Sequence, residues 1–179
     1  MFKNFKSALK NPKLVHSMKL ESKELLFPDE MQTLIYLQEL HIKSEKVENY
    51  VVVFKLPLLK ICKFIQTPLN NLSLPLGHIS SPLKFLTLKD CKLSTLPEEI
   101  GMFSELEELN LSGNTLSELP YSMRDLKNLR RLNLDSNNFV NFPDLIKNLP
   151  RLHHLSIDNN NFSDEEKARV QREFNLTIN

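Results

Sequence analysis

Glycine and cysteine are scarce in this 179-residue chain, with three and two residues, and neither sign of charge dominates: 23 Lys and Arg stand against 22 Asp and Glu, for a net charge of +1. Each shortage excludes something. Two cysteines, Cys62 and Cys91, cannot form the dense disulfide framework of small secreted domains, so a reducing compartment and a cytoplasmic location are expected. A balanced charge gives no global pull toward nucleic acid or a membrane surface. The longest apolar run, Tyr50 to Phe54, is far too short to span a bilayer. Met1 to Lys10 interleaves Lys with Phe and lacks the apolar segment of a signal peptide. The chain carries no Gly-rich phosphate loop, no cysteine pair at metal spacing, no G-x-S-x-G and no H-E-x-x-H. It is therefore read as no enzyme and as requiring no cofactor.

What the chain has instead is a repeat. LKFLTLKDCKL from Leu83 recurs as LEELNLSGNTL from Leu106, LRRLNLDSNNF from Leu129 and LHHLSIDNNNF from Leu152, each 23 residues after the last. The second half of the unit is as regular: Leu96-Pro97, Leu119-Pro120 and Phe142-Pro143 are followed by Ile100, Met123 and Ile146, then by Phe103, Leu126 and Leu149. The pattern continues upstream in weaker form. Leu59, Cys62, Phe64, Thr67 and Leu69 make a third unit, Leu37, Leu40, Ile42, Glu45 and Val47 a second, and Val15, Met18, Leu20, Lys23 and Leu25 a first. A unit of this length cannot bury its apolar face alone, so the units must stack.

Side chains alternate along a strand. The L-x-L pair thus points into the stack and its neighbours point out. Asn114, Asn137 and Asn160 sit where the chain leaves the strand, with side-chain amides able to satisfy backbone groups in the turn. Cys91 holds that place in its own repeat. Proline after the next Leu ends extended pairing and sends the chain into a short helical segment on the far side.

The ends are read as caps. Phe2, Phe5 and Leu9 have helical spacing, with Asn11-Pro12 as a stop. Ser163 with Glu166 forms a capping-box pattern ahead of Ala168, Val170 and Phe174. Leu176 to Ile178 could add a final strand.

With its 23-residue LxxLxLxxNxLxxLPxxIxxLxx unit, the chain resembles bacterial leucine-rich repeat proteins. Ala8-Leu9-Lys10-Asn11-Pro12 is similar to an N-terminal cap of such proteins, and the DEEK helix after the last repeat is similar to their C-terminal ending. The resemblance implies an α/β leucine-rich repeat solenoid: a curved right-handed horseshoe with a concave parallel β-sheet and a short helical or 3₁₀ convex side. About seven repeats (15–162) are expected between an N-terminal cap (1–14) and a C-terminal cap (163–179), in one domain. For function it implies binding of another protein. Export to a host cell without a cleavable signal peptide is the alternative to a cytoplasmic role.

The outward columns of the strands locate a candidate site. Ile61, Ile65 and Phe85 are apolar where other repeats are polar, on neighbouring strands. Lys60, Lys63, Lys84 and Lys89 surround them, followed by Glu107, Glu108, Arg130 and Arg131. An apolar centre inside a charged rim is the anatomy of an interface. The expected contacts for a protein or peptide partner are Ile61, Lys63, Ile65, Lys84, Phe85, Thr87, Glu108, Arg130 and Arg131. The partner is not expected to be nucleic acid or membrane, and the chain is expected to be a monomer. A slip of one residue in the irregular repeats would instead turn Ile61 and Ile65 inward. A second reading places a divalent metal among His153, His154, Asp135 and Asp158. The plainer reading of those four is a solvated polar surface.

Overall fold

The computed structural model describes residues 1–75 and 81–174. Seven strands form one parallel sheet in chain order: β1 (Ser17–Leu26), β2 (Glu39–Glu48), β3 (Ile61–Ile65), β4 (Phe85–Lys89), β5 (Glu108–Asn110), β6 (Arg131–Asn133) and β7 (His154–Ser156). The expected solenoid with its concave parallel sheet is what the chain forms. On the other side run 3₁₀ turns at Asp29–Thr33, Tyr50–Lys55, Glu98–Met102, Tyr121–Asp125 and Asp144–Asn148. Four of them begin directly after Pro28, Pro97, Pro120 and Pro143, where a fixed φ and a missing N–H favour the start of a helical turn.

Between the two walls lies one continuous apolar core. It contains the inward residues of each strand, such as Leu86, Leu109 and Leu132, and the 3₁₀ residues Met31, Ile100 and Met123. Phe27, Phe54, Phe64, Phe103 and Phe139 are its largest fully buried side chains among the described residues. The asparagine column stitches the repeats together. Asn114 donates to the carbonyls of Leu88 and Leu111, and accepts from the amides of Cys91 and Leu93. Asn137 and Asn160 repeat the arrangement one and two units on. Thr67 and Cys91 fill the same position earlier. The Thr67 hydroxyl accepts from the Ser44 amide, and the Cys91 thiol donates to the carbonyls of Phe64 and Lys89.

The turn itself needs left-handed backbone, and few glycines supply it. The residues one place before this column, Gln66, Asp90, Gly113, Ser136 and Asn159, have φ between 52° and 70°. Only one of the five is glycine.

The first two repeats depart from expectation. Lys23 and Glu45 do not mark a turn: β1 and β2 run on for ten residues and stay paired as far as Leu26 and Glu48. A charged side chain cannot replace an amide that both donates and accepts inside the stack, so Lys23 and Glu45 remain exposed. Ser44 turns inward instead, its hydroxyl donating to the carbonyls of Lys23 and Lys46.

Helix α1 (Phe5–Lys10) is capped by Asn4, whose side chain accepts from the Ser7 amide. Phe2 lies outside that helix and pairs with the sheet edge: its amide donates to Ser17, and Lys19 donates to its carbonyl. Helix α2 (Asp164–Phe174) packs on the last repeat through buried Val170 and a Phe142–Phe174 ring contact at 4.5 Å. Ser163 caps it by accepting from the Glu166 amide. The Glu166 carboxylate, however, accepts from the Phe142 amide, not from Ser163, so half of the expected capping box is spent on fastening the helix to the repeat. The expected strand at Leu176 to Ile178 lies outside the described residues.

Candidate functional site

Register decides what the concave face presents. β2 pairs with β3 at a spacing of 22 residues (Glu39 beside Ile61), and β3 with β4 at a spacing of 24 (Ile61 beside Phe85). The irregular repeat lengths therefore leave the alternation intact. Cys62 and Phe64 are fully buried, while Ile61, Lys63 and Ile65 stand half-buried on the outer side. Ile61 lies beside Phe85, Lys63 beside Thr87 and Ile65 beside Lys89.

Charged side chains continue the surface toward the C-terminus. Glu108 lies between Phe85 and Arg131 in register, and the Arg131 guanidinium reaches its carboxylate at 3.6 Å. Just before these strands, the Lys84 ammonium meets the Glu107 carboxylate at 2.7 Å. That hydrogen bond lowers the Glu107 pKa and raises that of Lys84. Arg131 is thus already held by Glu108, and Lys84 by Glu107.

A trough of about 460 Å³ runs across this part of the face. Of the expected contact residues, Lys63, Phe85, Thr87, Glu108 and Arg131 line it. Ile65 borders a separate hollow of about 300 Å³ with His41, Lys43 and Gln66. Ile61 adjoins Phe85 at the sheet surface, and Lys84 and Arg130 directly precede their strands; these three are not among the residues that line the trough.

The trough also takes in His154, named in the metal reading, and Asn110, Asn133 and Ser156, which residue character alone did not single out. Their position in the outward columns was the available signal. Asn110 and Asn133 brace the loops that follow, accepting from the amides of Ser112 and Asp135.

The four residues of the metal reading do not assemble a ligand set. The Asp135 carboxylate accepts from the Ser156 hydroxyl and from the Asp158 amide. His153 Nδ1 lies 2.7 Å from the carbonyl of Arg151. Among the described residues, no three His, Cys, Asp or Glu side chains are grouped so as to hold a metal ion. Both cysteines are buried; burial pushes the Cys62 thiol up, and that of Cys91 up to about 12. Neither is suited to act as a nucleophile.

A family model described as a leucine-rich repeat region matches residues 38–175, well over half of the chain. The chain belongs to the leucine-rich repeat family. Among solved structures, this leucine-rich repeat chain is similar to a leucine-rich repeat protein of Leptospira interrogans, at 30% identity and a TM-score of 0.74 over 90% of the chain. That neighbour agrees with the bacterial character of the repeat unit. The fold also matches a chain in the Toll–Spätzle complex of Drosophila, at 19% identity and a TM-score of 0.68 over 82% of the chain. The present chain spans 41% of the Leptospira chain and 20% of the Drosophila chain. No curated protein matches it in sequence. Among the described residues, no helix is long and apolar enough to cross a membrane.

Proposed function

We propose that this leucine-rich repeat chain is a non-enzymatic interaction module that seats a protein or peptide partner on the concave face of β3 to β6. The observation that carries this reading is the contact row Ile61–Phe85–Glu108–Arg131. Two apolar side chains and an ion pair lie side by side in register, at the edge of an open trough. A sheet whose turns from β3 on are pinned by Thr67, Cys91 and then the asparagine column is already ordered, so little conformational entropy is lost when a partner docks. Reduced, buried Cys62 and Cys91 suit a monomer working in a reducing, cytoplasmic compartment.

Affinity capture from cytosolic lysate tests it, with wild type compared against the double variant Phe85→Glu, Arg131→Glu and against a convex-side control, Tyr121→Glu. Melting curves first establish that all three are folded. A protein retained by wild type and the control but lost by the double variant supports the concave site. Equal retention by all three would move the site off this face.

A further inference from the structure

The charges of the concave face are unevenly matched, and the mismatch describes the ligand. Four carboxylates that flank the apolar patch, Glu21, Glu39, Glu107 and Glu108, are already engaged within the fold. Toward β1, Glu21 lies 3.7 Å from Lys19, and Glu39 contacts Ser17 and His41. Toward β7, Glu107 is held by Lys84 and Glu108 by Arg131. Around the patch itself, Lys60, Lys63 and Lys89 have no carboxylate within ion-pair distance among the described residues.

Lys63 is the decisive one. It is half-buried and flanked by Ile61 and Ile65 on its own strand, each about 7 Å away at two residues' separation. Thr87 lies beside it in register, about 5 Å away across neighbouring strands. A purely apolar ligand covering Ile61 and Phe85 would strip water from this ammonium and offer nothing in return, which is costly for a charge. A ligand that brings a carboxylate to that point answers it.

We infer that the concave face takes a short acidic segment of a partner protein, in which a bulky apolar side chain sits on Ile61 and Phe85 and flanking Asp or Glu carboxylates meet Lys60, Lys63 and Lys89. This rests on the concave-face function proposed above. A nucleic acid is disfavoured as occupant: its phosphates need a continuous track of cations, and this one ends at the row of Glu107 and Glu108.

Selection of a displayed random-peptide library on the immobilised full chain tests the inference, followed by anisotropy titrations of the selected peptides. The titrations use wild type, Phe85→Ala and the double variant Lys63→Ala, Lys89→Ala. Among the described residues neither lysine side chain makes an ion pair or hydrogen bond, so the double variant should melt like wild type. The expected result is enrichment of Asp and Glu around a bulky apolar residue, with binding about tenfold weaker for the lysine variant and weaker again in high salt. Selected peptides that need Phe85 but show no acidic enrichment and no loss in the lysine variant would overturn the acidic class while leaving the concave site standing. Peptides indifferent to both variants, or no peptide at all, would overturn both. Single-stranded oligonucleotide binding that is lost in the lysine variant, without acidic peptides, would overturn it in favour of a nucleic acid.

Discussion

Four backbone groups converge on the side chain of Asn137: the carbonyls of Leu111, Leu134 and Asp135 accept from its amide, and the amide of Leu116 donates to its oxygen. All of this occurs at a site 5% exposed, where a lost partner is not replaced by water. Each unsatisfied buried group costs about 1–3 kcal/mol, and local relaxation recovers part of the sum. Asn137→Ala should therefore destabilise the fold by about 3 kcal/mol, read as a lower urea midpoint. The neighbouring residue predicts the opposite sign. Ser136 is exposed with φ of 55°, and its side chain makes no hydrogen bond among those described. Left-handed backbone costs an L-residue about 1–2 kcal/mol, against about 0.5–1 kcal/mol of extra chain entropy for glycine. Ser136→Gly should stabilise by about 0.5 kcal/mol, a rise in melting temperature of a degree or two.

At the scale of the element, α2 shows how a terminal helix is tied to a solenoid by more than apolar contact. Glu166 accepts from the Phe142 amide at 2.7 Å and from two nitrogens of Arg169 at 2.7 and 2.8 Å. The Arg169 hydrogen bonds, ahead of the Phe142 amide, hold its carboxyl at about 2, below the ordinary 4.5. A carboxyl whose pKa is lower in the folded state stabilises fully above about 4.5 and loses that contribution as pH falls toward about 2. Glu166→Gln should cost about 1–2 kcal/mol at neutral pH. Its deficit against wild type should shrink steadily in melts taken from pH 5 down to pH 2. A deficit unchanged by acid would mean that Glu166 matters for packing and not for its charge. The convex side has its own close fit: a Cβ on Gly101 would lie 2.4 Å from the Ser122 carbonyl oxygen. Here glycine serves the approach of two 3₁₀ turns and not a positive φ.

For the whole molecule, the division between inside and outside is the property on which both stability and binding rest. Leu132 is 2% exposed between neighbouring repeats, while Arg131, the residue before it, is exposed on the concave face. Leu132→Ala should cost about 2–5 kcal/mol in chemical denaturation. Arg131→Ala should change stability by less than about 0.5 kcal/mol, because its ion pair with Glu108 joins side chains 59% and 43% exposed, and such pairs contribute little. Equal losses for the two would contradict the alternation on which the site depends. Because Leu132 packs between adjoining repeats, its loss should be felt first in the flanking units.

The amino-acid sequence by itself determined the stack, its direction and most of its core, because period-23 spacing and period-2 alternation leave an apolar L-x-L pair only one way to face. It also placed Ile61, Ile65 and Phe85 in the outward columns. Only the tertiary structure decided that the irregular repeats keep this register, since a slip of one residue would have satisfied local propensity equally well. It also decided that β1 and β2 run past the expected turn, because whether Lys23 and Glu45 could replace the asparagine depends on burial in three dimensions. The pairing of Glu108 with Arg131 and Glu107 with Lys84, which leaves Lys60, Lys63 and Lys89 unmatched among the described residues, likewise exists only across strands. Those partners lie 23 residues apart in the chain, and only the stacking of one repeat on the next brings them within reach.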